Sequence, residues 1–281
     1  MNRGGEKKHK SGWISLPKPF LWWMIPGLVA ITLLIGSAAL TIVLAVVKRP
    51  SELRIIIRSG EIAIVGNTLV ICLGVTIIAA IVGWIFGVVL RFAGSGLMWL
   101  IVAVVLFPLL SDQIIRNYAF YFIFRTEGIW SYGLSLIGIE NPPHVLYTRL
   151  GVIIGISHGL ISLSTFPVWL SLQRVSNTSL NAATVHGAKW FQLVRDLVFP
   201  ASLPGIIAGA FFTFVFTLGY YVTPKMLGGQ SGMMISALID QRINTLGDWY
   251  GSSALSLLVL VICLPFLMLT PRLLLFLEKR T

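Results

Sequence analysis

Six apolar stretches, at about residues 21–47, 63–90, 97–124, 150–172, 201–223 and 251–277, alternate with polar segments along the chain. Each reaches the roughly 20 residues that a helix needs to cross the hydrocarbon core of a bilayer. The pattern predicts an all-α integral membrane protein with six transmembrane helices. A basic tail (1–20) precedes a membrane domain (21–277), and a short tail (278–281) follows it. The first stretch follows positive charges as a signal peptide does. It is too long for one, and Gly36-Ser37-Ala38-Ala39 runs on into further apolar residues, so it reads as an uncleaved span.

Two segments break the apolar monotony. In the third stretch, FPLLSDQIIRNYAFYFIF places Asp112, Arg116 and Asn117 in what the pattern predicts to be one helix. Asp112 and Arg116 are four apart and so share a helix face. Ionisable groups at that depth normally point at a protein interior or a watery cavity, which makes them candidates for a substrate path; the other reading is a structural intrahelical ion pair.

The second interruption is the polar run from Asn181 to Gly205. Ser176, Asn177, Thr178 and Ser179 are possible N-caps for a short helix of small residues that Gly187 stops. From Ala188 to Phe199, the residues Trp190, Phe191, Val194, Leu197 and Val198 recur at spacings of three and four. This predicts a second, amphipathic helix with Lys189, Gln192, Arg195 and Asp196 mostly opposite, ended by Pro200 and Pro204. Physics alone also accommodates a plain connector lying on the bilayer surface.

Composition agrees with the membrane assignment: 56% of residues are hydrophobic and 11% charged, and mean hydropathy is +0.88. The net charge of +11 divides unevenly, with more Lys and Arg on the side of the basic tail, Lys189 and Arg195 than on the other. That places both termini in the cytoplasm by the positive-inside rule. No aromatic-interleaved basic stretch suggests nucleic acid, so the charge reads as topology and contact with membrane lipids. Cys72 and Cys263 lie inside apolar spans without metal or redox spacing. His158 and His186 have no second ligand at metal spacing, and no cofactor is expected. There is no phosphate-cradling G-x-x-x-x-G-K-[ST] run, so this chain is not itself an ATPase. The loops 125–149 and 223–250 are rich in turn formers and are expected to face a partner outside the membrane.

An alanine pair, three residues, a glycine, nine residues, an aliphatic residue, two residues and a proline: this spacing resembles the cytoplasmic EAA loop of ATP-binding-cassette (ABC) importer permeases. By position Ala182, Ala183, Gly187, Leu197 and Pro200 match, while Asn181 stands where the family has a glutamate. The resemblance implies that residues 176–200 form a coupling loop that sits in a cleft of an ATPase subunit. Asn181 withdraws the carboxylate from any salt bridge there. Four further patches, 67–90, 107–130, 203–229 and 248–260, are similar to the spermidine/putrescine branch of type I importer permeases. That branch often carries acidic residues in the stretch matching Tyr220-Tyr221 and Lys225, and none stands there in this chain.

The resemblance implies a type I permease arrangement in the bacterial inner membrane, with ABC ATPase subunits as partners. A second permease, homologous or identical, and a periplasmic or extracellular substrate-binding protein complete the expected assembly. The cargo it implies is a small organic solute, whether polyamine-like, opine-like, amino-acid-like or an aminophosphonate. Asp112, Arg116, Tyr118, Tyr220 and Tyr221 are the candidate substrate path, in which aromatic faces replace part of a cation's water. No covalent chemistry is required of the chain. A channel or secondary transporter is the alternative, but it leaves the cassette without a role and lacks an internal repeat. An intramembrane enzyme using Asp112, His158 and serines lacks any nucleophile–base spacing.

Overall fold

The computed structural model describes residues 61–139 and 142–278, together with isolated helical positions at Gly36, Val43 and Val47. The expected first span, apart from those positions, and both tails lie outside the described residues. Ten helices follow in order: α1 (Glu61–Phe92), α2 (Ser95–Leu110), α3 (Gln113–Phe124), α4 (Ile129–Leu136), α5 (Arg149–Leu172), α6 (Asn177–Val185), α7 (Trp190–Leu193), α8 (Phe199–Leu218), α9 (Ile235–Asn244) and α10 (Trp249–Glu278). Two π-helical turns join them, Val194–Val198 between α7 and α8 and Pro224–Gly228 before α9. Three continuous helices are long and apolar enough to cross a membrane, at 61–92, 149–172 and 190–218, or four if α2 and the α3–α4 pair form one bent span. The six expected spans therefore correspond to three or four among the described residues. α10 runs for 30 residues, of which Trp249–Pro265 is an apolar stretch with described side chains.

At the centre lies α5, clasped between α1 and α8. Ile71, Cys72 and Val75 of α1 meet Val152, Ile156 and Leu160 of α5 and Phe214 of α8 in one buried cluster. Association in lipid gains little from apolar burial, because the tails are as apolar as the side chains, so close backbone approach has to supply the contact. Small residues permit it. A Cβ added at Gly83 would come within 2.6 Å of the Ser164 Cβ, and one at Gly209 within 2.7 Å of the Ser164 Cα, so α5 is gripped at one level from two sides. Hydrogen bonds add register: the Ser164 and Thr213 hydroxyls pair at 3.1 Å, and the Trp84 indole N–H donates to the Ser202 Oγ at 2.9 Å.

The third apolar stretch is not one helix. After Leu110 the backbone turns extended at Ser111 and Asp112, and the axis bends by 99°. The cause is local, because the Asp112 carboxylate accepts from the backbone N–H groups of Ile114 (2.8 Å) and Ile115 (3.1 Å) and thereby starts a new helix. Pro200 fails to end its helix for a related reason. A proline lacks the N–H that an α-helical ladder needs, and the widened π turn at 194–198 accommodates that gap, so the chain runs helically from Trp190 to Leu218. The predicted span 201–223 ends early, at Leu218, and the segment expected to be loop 223–250 contains the π turn and α9.

At the end of the bundle where α1 and α5 begin, polar side chains fix the irregular segment before α9. The Asn67 amide donates to the carbonyls of Ser231 (3.0 Å) and Met233 (2.7 Å), and the Thr68 hydroxyl accepts the Ile235 N–H at 2.9 Å. Arg242 of α9 then bridges two carboxylates, Glu61 at the start of α1 and Asp248 before α10.

Candidate functional site

Two regions carry the candidate residues, one at each end of the bundle. At the end where α1 and α5 finish, the cassette folds as a helix, a turn and a helix. The Ser176 hydroxyl caps α6 by accepting the Ser179 N–H at 3.0 Å. Gly187 takes φ +82°, and the N–H of Ala188 closes back on the Ala183 carbonyl at 3.0 Å, so a left-handed residue terminates the helix as its sequence predicts. No residue of α6 is buried, and Val185 is 86% exposed. Asn181, Ala182 and Gly187 stand open to the surroundings, while Ala183 is half-buried.

A free-standing helix needs an anchor, and Arg91 at the end of α1 provides it. Its guanidinium donates to the carbonyls of Leu172 (3.1 Å) and Val175 (2.8 Å) and to the Asn177 Oδ1 at 2.7 Å, holding the base of the cassette against the bundle. The second half departs from the amphipathic expectation. Leu193 and Val198 are buried and Leu197 half-buried, but Trp190 and Phe191 are exposed and Pro200 lies outside. Trp190 meets the Phe92 ring edge-on at 5.3 Å, as aromatic residues at an interfacial belt do.

Of the candidate substrate-path residues Arg116 is buried, Tyr220 half-buried, and Asp112, Tyr118 and Tyr221 exposed. Asp112 and Arg116 make no ion pair: the carboxylate is exposed and occupied as an N-cap, whereas the Arg116 guanidinium is buried and donates back to the Pro108 carbonyl at the end of α2. The four-residue spacing fails because Asp112 precedes the helix, so the two side chains never share a helical face. Arg116 lies against Gly159 of α5, and its neighbour Asn117 accepts the Thr223 hydroxyl at 3.1 Å. Tyr118 is exposed. Tyr220 and Tyr221 follow the end of α8, with Tyr220 against the main core and Tyr221 on a separate cavity.

That cavity, about 380 Å³, lies between the end of α8, α9 and the start of α10. Its walls include Ile239 and Ile243, and its polar groups include Tyr221, Asp240, Asn244 and Ser256. Asp240 accepts from the Asn244 amide at 2.8 Å on one oxygen and pairs with Lys225 on the other. Sequence reasoning missed Asp240 because the segment reads as a turn-rich loop. The available signal was the three-and-four spacing of Ile235, Leu238, Ile239 and Ile243, which sets Asp240 and Asn244 one turn apart on one helix. A wider basin of about 770 Å³, lined by Glu127, Tyr132 and His144 among others, opens in the 125–149 segment.

Residues 73–281 match the family described as binding-protein-dependent transport system inner membrane component. Among curated relatives, the spermidine/putrescine transport system permease protein PotB of Haemophilus influenzae is 27% identical over 183 residues, 65% of this chain and 64% of the relative. Its Escherichia coli counterpart is 25% identical, with 60% of that protein covered, so the chain spans less than two thirds of the length of these relatives. A putative 2-aminoethylphosphonate transport system permease protein, PhnU of Salmonella paratyphi A, is 24% identical over 258 residues, 88% of each chain. Of the solved structures, a chain of a bacterial alginate ABC transporter, in complex with its alginate-bound periplasmic protein, superposes with a TM-score of 0.76 over 89% of this chain and 92% of that one. At 14% identity this likeness speaks for a shared fold.

Proposed function

The chain belongs to the family of binding-protein-dependent transport system inner membrane components, and on that premise we propose that it carries a small amine-bearing solute through a bacterial ABC importer. It is a multi-pass permease of the bacterial inner membrane and is not catalytic. In this reading the ATPase subunits are separate chains that grip α6. A second permease, homologous or identical, completes the pathway, and a substrate-binding protein docks on the outer basin at 125–149. The cargo class rests on shared chemistry: spermidine, putrescine and 2-aminoethylphosphonate, named for the relatives, all carry a primary ammonium.

The observation that carries this reading is the cassette. No described residue of α6 is fully buried, its base is braced by Arg91, and beyond the turn at Gly187 the chain runs from Trp190 through the π turn into the spanning helix α8 without a break. A partner gripping α6 would act through the turn at Gly187 on the helix that runs from Trp190 into the bundle.

Two substitutions test the coupling. A Cβ at Gly187 meets nothing within 4 Å, so Gly187→Val acts through the backbone alone, forcing a β-branched residue into the left-handed region at about 1–2 kcal/mol or more. Gly187→Asn, which tolerates that region, is the control. Ala183→Asp places a charge on the docking face. Gly187→Val and Ala183→Asp are expected to insert normally while losing ATPase co-purification and substrate-stimulated ATP hydrolysis, with Gly187→Asn close to wild type. Coupled hydrolysis at the wild-type rate in both variants overturns the mechanism. The side of the membrane has its own check: Lys189→Cys is expected to resist an impermeant thiol reagent in intact cells and to react in inverted vesicles.

A further inference from the structure

The cavity beside α9 differs from the rest of the described surface in the company its carboxylate keeps. Of the carboxylates with described side chains, Asp112 caps α3, Glu61 and Asp248 are held by Arg242 and Asp196 by Arg195, and Glu127 stands 3.6 Å from Arg125. Each of those cations is an arginine, a planar guanidinium. Asp240 alone is held by a lysine, a compact ammonium on a flexible stem. The pair is asymmetric in exposure as well: the Asp240 side chain is 19% exposed and that of Lys225 45%. The carboxylate is therefore fixed, with its second oxygen on Asn244, and the ammonium reaches it from outside.

We propose that this cavity is a subsite for the primary ammonium of the transported solute, which takes the place of the Lys225 ammonium on Asp240. The proposal rests on the importer reading above and names the group that one site within it receives. The site already binds the chemistry in question, since the Lys225 Nζ has the charge and three donors of any alkylammonium. Tyr221, Ser256 and Asn244 bring an aromatic ring and further polar atoms to the lining, and Ile239 and Ile243 wall the space where the cargo's methylenes would lie. A volume of about 380 Å³ suits a small organic amine. Competition with a tethered lysine keeps the site weak, as a transport path requires: a group that binds must also leave.

The test is local protection, read on the assembled transporter in nanodiscs. Val259→Cys, at a lining residue outside the Asp240 pair, in a chain carrying Cys263→Ala and retaining the fully buried Cys72, reports on the cavity through its rate of reaction with a small methanethiosulfonate. Putrescine and 2-aminoethylphosphonate are expected to slow labelling at least threefold, and ethylphosphonate, which lacks the amine, to leave it unchanged. Adding Lys225→Met is expected to lower the half-protecting concentration of either amine, and adding Asp240→Asn to abolish protection with or without Lys225→Met. A merely structural pair gives another pattern, in which the two single changes are equally harmful and the double restores function. That pattern, or equal protection by ethylphosphonate, or no protection by either amine, overturns the proposal. ATP hydrolysis measured on the same nanodiscs keeps the two readings apart: hydrolysis that the cassette variants leave unaffected fails the importer reading, whereas normal coupling without amine protection fails the subsite alone.

Discussion

Gly205→Val is expected to prevent accumulation of the protein in the membrane, and Gly205→Ala to lower its thermal unfolding midpoint in detergent measurably. A Cβ at Gly205 would stand 2.4 Å from the Pro167 carbonyl oxygen and 2.6 Å from both the Val168 Cα and the Ser171 Oγ. The first two are backbone atoms of α5, which cannot swing aside as a side-chain tip does, so α5 and α8 must separate. Overpacking of this kind typically costs about 1–3 kcal/mol for one methyl group, and the branched side chain exceeds it. Gly66→Ala supplies the contrast, because a Cβ there meets nothing within 4 Å and the helix gains propensity. Equal midpoints for Gly205→Ala and Gly66→Ala would show that the α5–α8 contact does not depend on backbone proximity.

The same glycines explain what the sequence could convey about the bundle. Runs long enough to span were plain at 63–90 and 150–172, and the structure has α1 and α5 there with ends within two residues. Which helices touch is a different matter. Gly83, Gly87, Gly205 and Gly209 mark close approach, but a glycine does not name its neighbour; that α5 receives contacts from both sides emerges only in three dimensions. Boundaries set by side chains that bond to the backbone were harder still. Asp112 looks like one member of an i,i+4 pair until it is seen capping α3, and Pro200 looks like a helix end until the π turn absorbs its missing donor.

In the candidate sites the turn chemistry was the legible part. An N-cap within 176–179 and Gly187 as a left-handed stop follow from residue type, and the structure has Ser176 and Gly187 in those roles. The bracing of the cassette by Arg91 was not legible, because the donor and its acceptors at 172, 175 and 177 are more than 80 residues apart. Asp240 was hidden for another reason: its helix is short, carries as many polar as apolar residues and lies between glycine-rich turns, so the local composition reads as loop.

Arg116→Met is expected to leave membrane abundance near wild type while lowering uptake by reconstituted transporter vesicles about tenfold, a change worth about 1.4 kcal/mol. Arg116 is 8% exposed, and among the described residues no carboxylate lies within ion-pair distance of it and its Nε has no hydrogen-bond partner. A buried cation without a counter-ion contributes little net stability, because its desolvation opposes the hydrogen bond it makes, and a methionine of similar length fills the same space. What methionine cannot supply is the donor to the Pro108 carbonyl, the contact that ties the start of α3 back to the end of α2 across the 99° bend. A cation at the carbonyl end of a helix is favourably placed, and here it links the two arms of the elbow. Arg116→Ala differs in kind, since it also empties the space against Gly159 and is expected to lower abundance as well. Abundance, unfolding midpoint and uptake measured together separate the roles. If Met lowers abundance as much as Ala does, Arg116 stabilises the fold; if uptake survives Met, the elbow keeps its angle without the guanidinium.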